Sequence, residues 1–358
     1  MNSLDNPFFL SNSKFQSVIN YHNYSHILME SSFYELIMSN VTQYEDEHGD
    51  YDFSKISNIG MFYLFIHKRG TNRKDKTKRD YIRELVAYLE YVSSIGKSDI
   101  RELSRHDMEI YQAYMEEKYP KSTTRAKKIG IIQSFLEWCY IEEYTPKNLT
   151  RGLHPVRINK EEIPERVISE EALKNAISFF NNNPKVKSLL LILGTSGMRL
   201  NEVITPKWGA LYFDSKQGNY YLRTITKRGK VRHANIKKYA LEELFEYRRR
   251  LGLTTELNSK DDSPFYPNRL GKHYTLSGLS STLSKHMEAA GLTTIQNVKV
   301  SPHFIRHYFA QTAFANGAPI GFIAETLSHS SERTTKENYL RNNLGKDHDV
   351  SKYVDIIL

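Results

Sequence analysis

Two arginines, a lysine, two histidines and a tyrosine, spread over the second half of a 358-residue chain, are of types that could do chemistry together. Arg199 stands in TSGMRLNEV, directly after a small-residue turn and ahead of a short amphipathic piece. Lys227 lies at the turn of ITKRGKVRHANI. His303 and Arg306 open SPHFIRHYFA three residues apart, on one face of a helix. His329 and Tyr339 close the series in HSSERTTKENYL, where Tyr339 follows Glu337 and Asn338 and not apolar neighbours. Guanidiniums clamp anions, lysine and histidine carry protons, and a phenol oxygen is a nucleophile. Singly, each has an ordinary reading too. Arg199 could pair with Glu202, Lys227 could be a solvated turn residue, and Tyr339 could be structural. His303 and His307 have the i, i+4 spacing of a metal pair, but the HExxH glutamate is absent and no carboxylate ligand stands nearby, so no metal is expected.

The elements that must hold these residues are mainly helical. Residues 1–72 are aromatic-rich and irregular and read as an N-terminal appendage. A helical block follows at 73–152, with an apolar stripe at Ile82, Leu85, Val86, Leu89 and Val92. Ser104 with Asp107 resembles a capping box, and Ser122 can cap the next helix. That helix carries Arg125, Lys127 and Lys128 in its first turns. Cations there oppose the helix dipole, so either phosphate contact or a solvated face accounts for them. Residues 153–168, with prolines, arginines and no periodicity, read as a linker. Ser169 opens a second, mainly helical domain, 169–345, interrupted by period-two alternation on both sides of a Lys-Arg-Gly-Lys turn at 218–236, a β-hairpin signature. The tail, 346–358, ends in the apolar YVDIIL. The fold class is therefore mainly α with a small β-sheet or hairpin.

Fifty Lys+Arg against 41 Asp+Glu give a net charge of +9, which points to a polyanionic partner, nucleic acid before membrane. One cysteine, Cys139, excludes a disulfide framework and falls on an apolar helical stripe as core filler. No apolar run reaches the roughly 18 residues of a membrane span, and the first residues lack a secretory signal. A cytoplasmic protein is the expectation.

Taken together, the order R…K…HxxR…H…Y resembles the tyrosine recombinase (lambda-integrase-type) family. TSGMRLNEV is similar to that family's "TGLRxSE", the hairpin to "GKGxKxRxVPL", SPHFIRHYFA to "TPHxLRHxFA", and ETLSHSSERTTKENYL to "xxLGHxxxxTTxxY". There are departures. Ser328 replaces a glycine, Thr226 and Arg228 flank the lysine where glycines are typical, and Asn235 stands where proline is usual. His329 and Tyr339 are ten positions apart (329 to 339), one more than in Xer-type members.

The resemblance implies a two-domain DNA clamp: a helical, SAM-like core-binding domain and a catalytic domain. It implies a site-specific recombinase, integrase or transposase, prokaryotic and nucleoid-associated. Tyr339 would attack a phosphodiester to give a 3′-phosphotyrosine, Arg199 and Arg306 would clamp its oxygens, and Lys227 would protonate the leaving oxygen. His303 would take the phenol proton or bond the phosphate, His329 would hold the phosphate, and Glu202 would orient the arginine or histidine. Because the covalent link stores the phosphodiester energy, no cofactor, metal or ATP is called for. Arg125, Lys127, Lys128, Arg228, Lys230 and Arg232 are candidates for contact with double-stranded DNA. The family implies a tetramer on two duplexes with exchange of the C-terminal tail; packing of the tail on its own domain stays open, as does whether 1–72 binds accessory DNA arms, contacts a neighbouring protomer or a companion protein, or merely covers the core-binding domain. A type IB topoisomerase-like enzyme and a Xer-type dimer resolvase are the alternatives.

Overall fold

A computed structural model describes residues 7–9, 25–43, 51–68, 73–163, 165–226, 229–329 and 331–336. The chain forms two compact units, Met1–Ile163 and Pro164–Leu358. In the first, a short helix α1 (Tyr34–Met38) and a two-stranded antiparallel pair, β1 (Thr42–Gln43) and β2 (Tyr51–Asp52), precede four longer helices: α2 (Asn58–His67), α3 (Asp75–Ser94), α4 (Arg105–Lys118) and α5 (Ser122–Ile141).

The appendage reading needs correction here. α2 is capped by Ser57, whose hydroxyl accepts from the Gly60 N–H at 3.1 Å, and it is buried from Asn58 to Ile66. A helix apolar all round can only sit inside a core. Phe62 and Phe65 meet Phe135 of α5 edge-on at 4.6 and 5.4 Å, and Phe8, Leu28 and Ile37 join the same cluster. Residues within 1–72 therefore build the core of the first unit.

The stripe Ile82, Leu85, Val86, Leu89 and Val92 is buried as its spacing predicts, and Cys139 is buried with it. Ser104 and Asp107 make the reciprocal capping box of α4. Ser122 does not cap α5. It is the first helical residue, and its N–H and hydroxyl donate to Glu162 at 2.9 and 2.8 Å.

The second unit runs α6 (Glu170–Phe179), α7 (Pro184–Ser196), α8 (Leu200–Ile204), β3 (Leu211–Asp214), β4 (Asn219–Ile225), β5 (Val231–Ile236), α9 (Lys238–Arg250), α10 (Leu276–Ala289), α11 (Pro302–Ala315), α12 (Ile320–Thr326) and α13 (Glu332–Thr335). Ser169 caps α6, accepting from Ala172 N–H. The apolar α7 packs on α9, α11 and β5. The sheet is antiparallel in the order β3-β4-β5; the hairpin read from alternation is β4–β5, and β3 adds an edge the sequence reading did not contain.

Arg248, at the end of α9, fixes the start of that sheet. It is fully buried, lies 3.8 Å from the Trp208 ring centroid, and donates to the carbonyls of Thr254 (2.9 Å) and Pro264 (2.5 Å) and to the Ser263 hydroxyl (2.8 Å). Trp208 in turn donates to the Glu256 carbonyl at 2.7 Å. The loop between α9 and α10 is thus wound around one guanidinium beside the turn that feeds β3. Arg248→Met keeps the stem and strips the donors, leaving buried acceptors unpaired. We expect it to lower the unfolding free energy by about 2 kcal/mol, measured as a urea midpoint by Trp208 fluorescence in a Trp138→Phe background; an unchanged midpoint would refute the assignment.

Candidate active site

Arg199 is delivered by a turn that only glycine can make. α7 ends at Gly197, whose φ is +61°, and a Cβ there would lie 2.4 Å from a Phe309 ring carbon. Two residues later Arg199 stands at the N-cap of α8. Its N–H donates to Glu202 Oε2 at 3.1 Å and its guanidinium to Glu202 Oε1 at 3.0 Å. Glu202 is 1% exposed, so its carboxylate depends on protein partners.

Arg306 meets Arg199 from α11. It too is 1% exposed. One Nη donates to the Gly197 carbonyl at 2.6 Å; the other donates to the Leu327 carbonyl and faces His329 Nε2 at 3.4 Å. Arg199 also reaches the Leu327 carbonyl, at 3.4 Å, so one oxygen spaces the two guanidiniums. The residue after it, Ser328, has φ +51°, the backbone freedom expected where a glycine is usual. His329 follows, with Nδ1 2.8 Å from the hydroxyl of the buried Thr335.

His303 stands one turn before Arg306 on α11 and its ring meets that of His307 edge-on, centroids 4.9 Å apart. Desolvation, followed by the guanidiniums of Arg166, Arg306 and Arg199, presses its imidazole down to about 4 although the residue keeps an exposed surface; the fully covered His307 is pressed further, to about 2. Both rings are therefore neutral at pH 7, each with one ring nitrogen able to accept a hydrogen bond.

The hairpin is locked to the same cluster. Arg232 of β5 donates to Glu202 Oε2 at 3.0 Å and to the Ser196 carbonyl at 2.6 Å, while Thr224, its cross-strand partner on β4, donates to the Glu202 carbonyl at 2.9 Å. Thr226 and Lys230 close the turn with a 2.9 Å backbone bond, and Gly229 takes φ +80°. A cleft beside the cluster is lined by Thr195, Ser196, Arg232, His233, Ser328 and His329.

The structure thus brings together Arg199, Glu202, His303, Arg306 and His329. Lys227, Arg228 and Tyr339 lie outside the described residues, as does the 346–358 tail. The expected DNA-contact residues divide. Lys230 is exposed. Arg232, expected at a surface, is instead buried in the Glu202 pair, and burial presses it down to about 10 against the pull of that carboxylate, so it stays charged. Lys127 pairs with Asp80 at 3.0 Å, Lys128 with the buried Glu84 at 2.5 Å, and Arg125 donates to the Tyr119 carbonyl at 3.0 Å. These cations at the start of α5 hold α3 and the preceding loop, a reason for their placement that dipole reasoning left open. Sequence reasoning also missed Arg166, which donates to His307 Nε2 at 3.2 Å, and Thr335; the paired threonines of the His329 segment were the available signal for the latter. Among the described residues no cluster of three or more metal-ligating side chains forms, and no helix is long and apolar enough to cross a membrane.

The guanidiniums of Arg199 and Arg232 on the Glu202 carboxylate, that of Arg306 sharing the Leu327 carbonyl with Arg199, and two neutral imidazoles beside them suit a phosphate ester. The comparisons agree in kind. A model described as the phage integrase family matches residues 166–345, and one described as the phage integrase N-terminal SAM-like domain matches 63–143. The tyrosine recombinase XerC of Pediococcus pentosaceus is 25% identical over 286 residues, covering 78% of this chain and 91% of that protein. The XerC of Pelotomaculum thermopropionicum is 25% identical over 281 residues, covering 75% and 88%. Among solved structures, a lambda integrase tetramer bound to a Holliday junction superposes with a TM-score of 0.61 at 13% identity, covering 78% of this chain and 75% of that one. XerH bound to its palindromic difH substrate gives 0.60 at 15%, covering 95% and 98%. The Tn1549 transposon integrase with circular-intermediate DNA gives 0.58 at 17%, covering 79% and 95%.

Gly197→Ala should cost about 2–4 kcal/mol, combining left-handed strain with the clash on Phe309. Adding Phe309→Leu should recover about 1 kcal/mol by relieving the second part only. Urea midpoints of the single and double variants measure both; a silent Gly197→Ala would contradict the turn described.

Proposed function

The chain belongs to the phage integrase family, and from that premise we propose that it is a site-specific DNA recombinase that cuts and rejoins strands through a 3′-phosphotyrosine on Tyr339. The observation that carries the reading is the pair Arg199–Arg306, spaced by the Leu327 carbonyl and held in place by the protein's own acceptors. Donors fixed in advance need no reorganisation when charge develops, and that is the largest single contribution most such sites make.

In the proposed step the Tyr339 oxygen attacks the phosphorus, a P–O bond to tyrosine forms, and the bond to the deoxyribose 5′-oxygen breaks. A free phenol is only about one part in a thousand ionised at neutral pH, so its proton needs an acceptor. His303, neutral and one helical turn from Arg306, is suited to take it. Lys227 supplies the proton that the leaving 5′-oxygen requires. Arg199 and Arg306 hold the non-bridging oxygens, and His329, kept in register by Thr335, can donate to a further oxygen once its Nε2 carries a proton and no longer accepts from Arg306. Glu202, bonded to Arg199 and Arg232 at once, fixes the first arginine and ties it to the strands flanking Lys227. Resealing runs the same step backward with another 5′-hydroxyl, so no ATP enters.

Double-stranded DNA is the proposed substrate, bound largely through phosphates, with affinity falling by about 0.9 log unit per log unit of salt for each phosphate neutralised. The named DNA complexes and the lambda integrase tetramer support assembly of several copies on DNA, with exchange of the 346–358 tail as its proposed means. Whether the biological role is integration, transposition or Xer-type dimer resolution depends on the DNA beside the gene. A relaxation assay addresses the remaining chemistry: relaxation of any supercoiled plasmid without a preferred site would favour a type IB topoisomerase.

Two variants test the roles, using a duplex selected by the protein from a random pool and nicked near the cleavage point. Tyr339→Phe should abolish the covalent adduct while a band shift persists; adducts retained in that variant would move the nucleophile, with Tyr353 next. Lys227→Ala should slow cleavage by about 10²–10⁴-fold and recover on a 5′-bridging phosphorothiolate, whose leaving group needs no acid. Without recovery, the proton comes from elsewhere.

A further inference from the structure

The segment entering the second unit carries a residue that the mechanism above does not use. Its backbone is strapped on both sides. Glu165 N–H donates to Gln296 Oε1 at 3.2 Å, Gln296 Nε2 donates back to Glu165 Oε2 at 2.9 Å, and Ile295 N–H donates to the Val167 carbonyl at 2.9 Å. Between these bonds Arg166 turns inward over the Phe304 ring, 5.5 Å from its centroid, and donates to His307 Nε2 at 3.2 Å. Its Nε is buried with no acceptor, and no carboxylate pairs with it, among the described residues. An unpaired buried donor costs on the order of 1–3 kcal/mol, so packing alone is a poor account of this placement.

Arginine only donates. The Nε2 of His307 must therefore accept, which leaves its proton on Nδ1: the ring is neutral and in one tautomer. His307 is 1% exposed and presents that ring at 90° to His303. We propose that Arg166 is a positioning residue which, by fixing the tautomer and plane of His307, sets the orientation of His303 toward the scissile phosphate. This rests on the reading of His303 as the histidine that serves the phosphate.

The surrounding charges agree. After burial, His307 is pressed down by His303, Arg166, Arg306 and His329, and His303 by Arg166, Arg306 and Arg199. The pair is thus faced by Arg166 from the entering segment, Arg306 on α11 itself, Arg199 at the start of α8, and His329 beyond α12. Both imidazoles sit below their ordinary value near 6.5. As pH falls from 6.5 toward 4, the unfolded chain binds protons that these folded rings do not, and stability declines.

The test is histidine-labelled NMR of the full chain without DNA, with His303→Asn and His307→Asn for assignment, in wild type, Arg166→Lys, Arg166→Gln and Arg166→Met. The His307 ring should show the nitrogen shifts of the Nδ1-protonated tautomer in wild type and lose that fixed pattern in the Met variant. The His303 midpoint should rise by about half a pH unit or more in the Gln and Met variants, with Lys close to wild type. A raised midpoint beside an unchanged His307 tautomer is a charge effect alone and overturns the positioning role. On the selected nicked duplex, the acid limb of single-turnover adduct formation should move up with that midpoint, while DNA affinity stays within about twofold. An unmoved midpoint and acid limb in any folded charge-removing variant overturn the proposal; if Met fails to fold, Gln decides. Should wild type form no adduct on any duplex, the recombinase reading fails, and the NMR midpoints still judge Arg166.

Discussion

The site depends on a guanidinium buried where water cannot reach it. Arg306 is held by the carbonyls of Gly197 and Leu327, and a carbonyl orients a guanidinium without cancelling its charge. The cost of burying that charge is met by geometry elsewhere. α7 must stop at a left-handed glycine so that its last carbonyl points at α11, and α12 must end so that Leu327 turns its carbonyl back. Phe309, filling the space where a Cβ at Gly197 would be, makes the first of these irreplaceable. A second cation, Arg199, then shares the Leu327 oxygen, and two like charges are kept apart by an acceptor they have in common.

Glu202 extends this constraint to the sheet. Its carboxylate takes the Arg199 backbone, the Arg199 side chain and Arg232, while its own carbonyl takes Thr224. One short helix is thereby joined to the β4–β5 rung at 224 and 232 and, through Arg232 and the Ser196 carbonyl, to α7's end. Isolated buried ion pairs add little to stability, but removal of one partner strands a charge, so the network favours one arrangement over any partial one. The strands that flank Lys227 are consequently registered to the arginine pair to within a hydrogen bond.

Much of this was legible in the sequence, and the reasons for the misses are physical. Periodicity found the α3 stripe, the Ser104–Asp107 box, the Ser169 cap and the β4–β5 hairpin because each is a local signal. Spacing placed His303 and Arg306 on one face, and residue type together with the family resemblance singled out Arg199, Glu202 and His329. What stayed hidden was non-local. α2 looks like part of an irregular appendage until Phe62 and Phe65 are seen against Phe135. Ser122 looks like a cap until Glu162, forty residues away (162 − 122), claims its hydroxyl. Arg232 carries the same charge as a surface DNA contact, and only the fold reveals that its partner is a buried carboxylate. β3 is four residues long, too short for alternation to declare.

The crowding of arginines also explains why other side chains must move the protons. A guanidinium stays charged at any working pH, so Arg166, Arg199, Arg232 and Arg306 can hold and neutralise but cannot act as acid or base. Their summed field disfavours any further positive charge nearby. Burial first, and then the guanidiniums of Arg166, Arg306 and Arg199, keep His303 neutral, with burial again the larger cause for His307, and a lysine brought toward the same field would lose its proton more readily than one in water. The arrangement that binds the phosphate is then also the one that tunes the groups around it, and weakening one guanidinium alters proton transfer as well as binding. On this view an arginine such as Arg166, which need not touch the phosphate at all, can matter to the reaction through the imidazoles it faces.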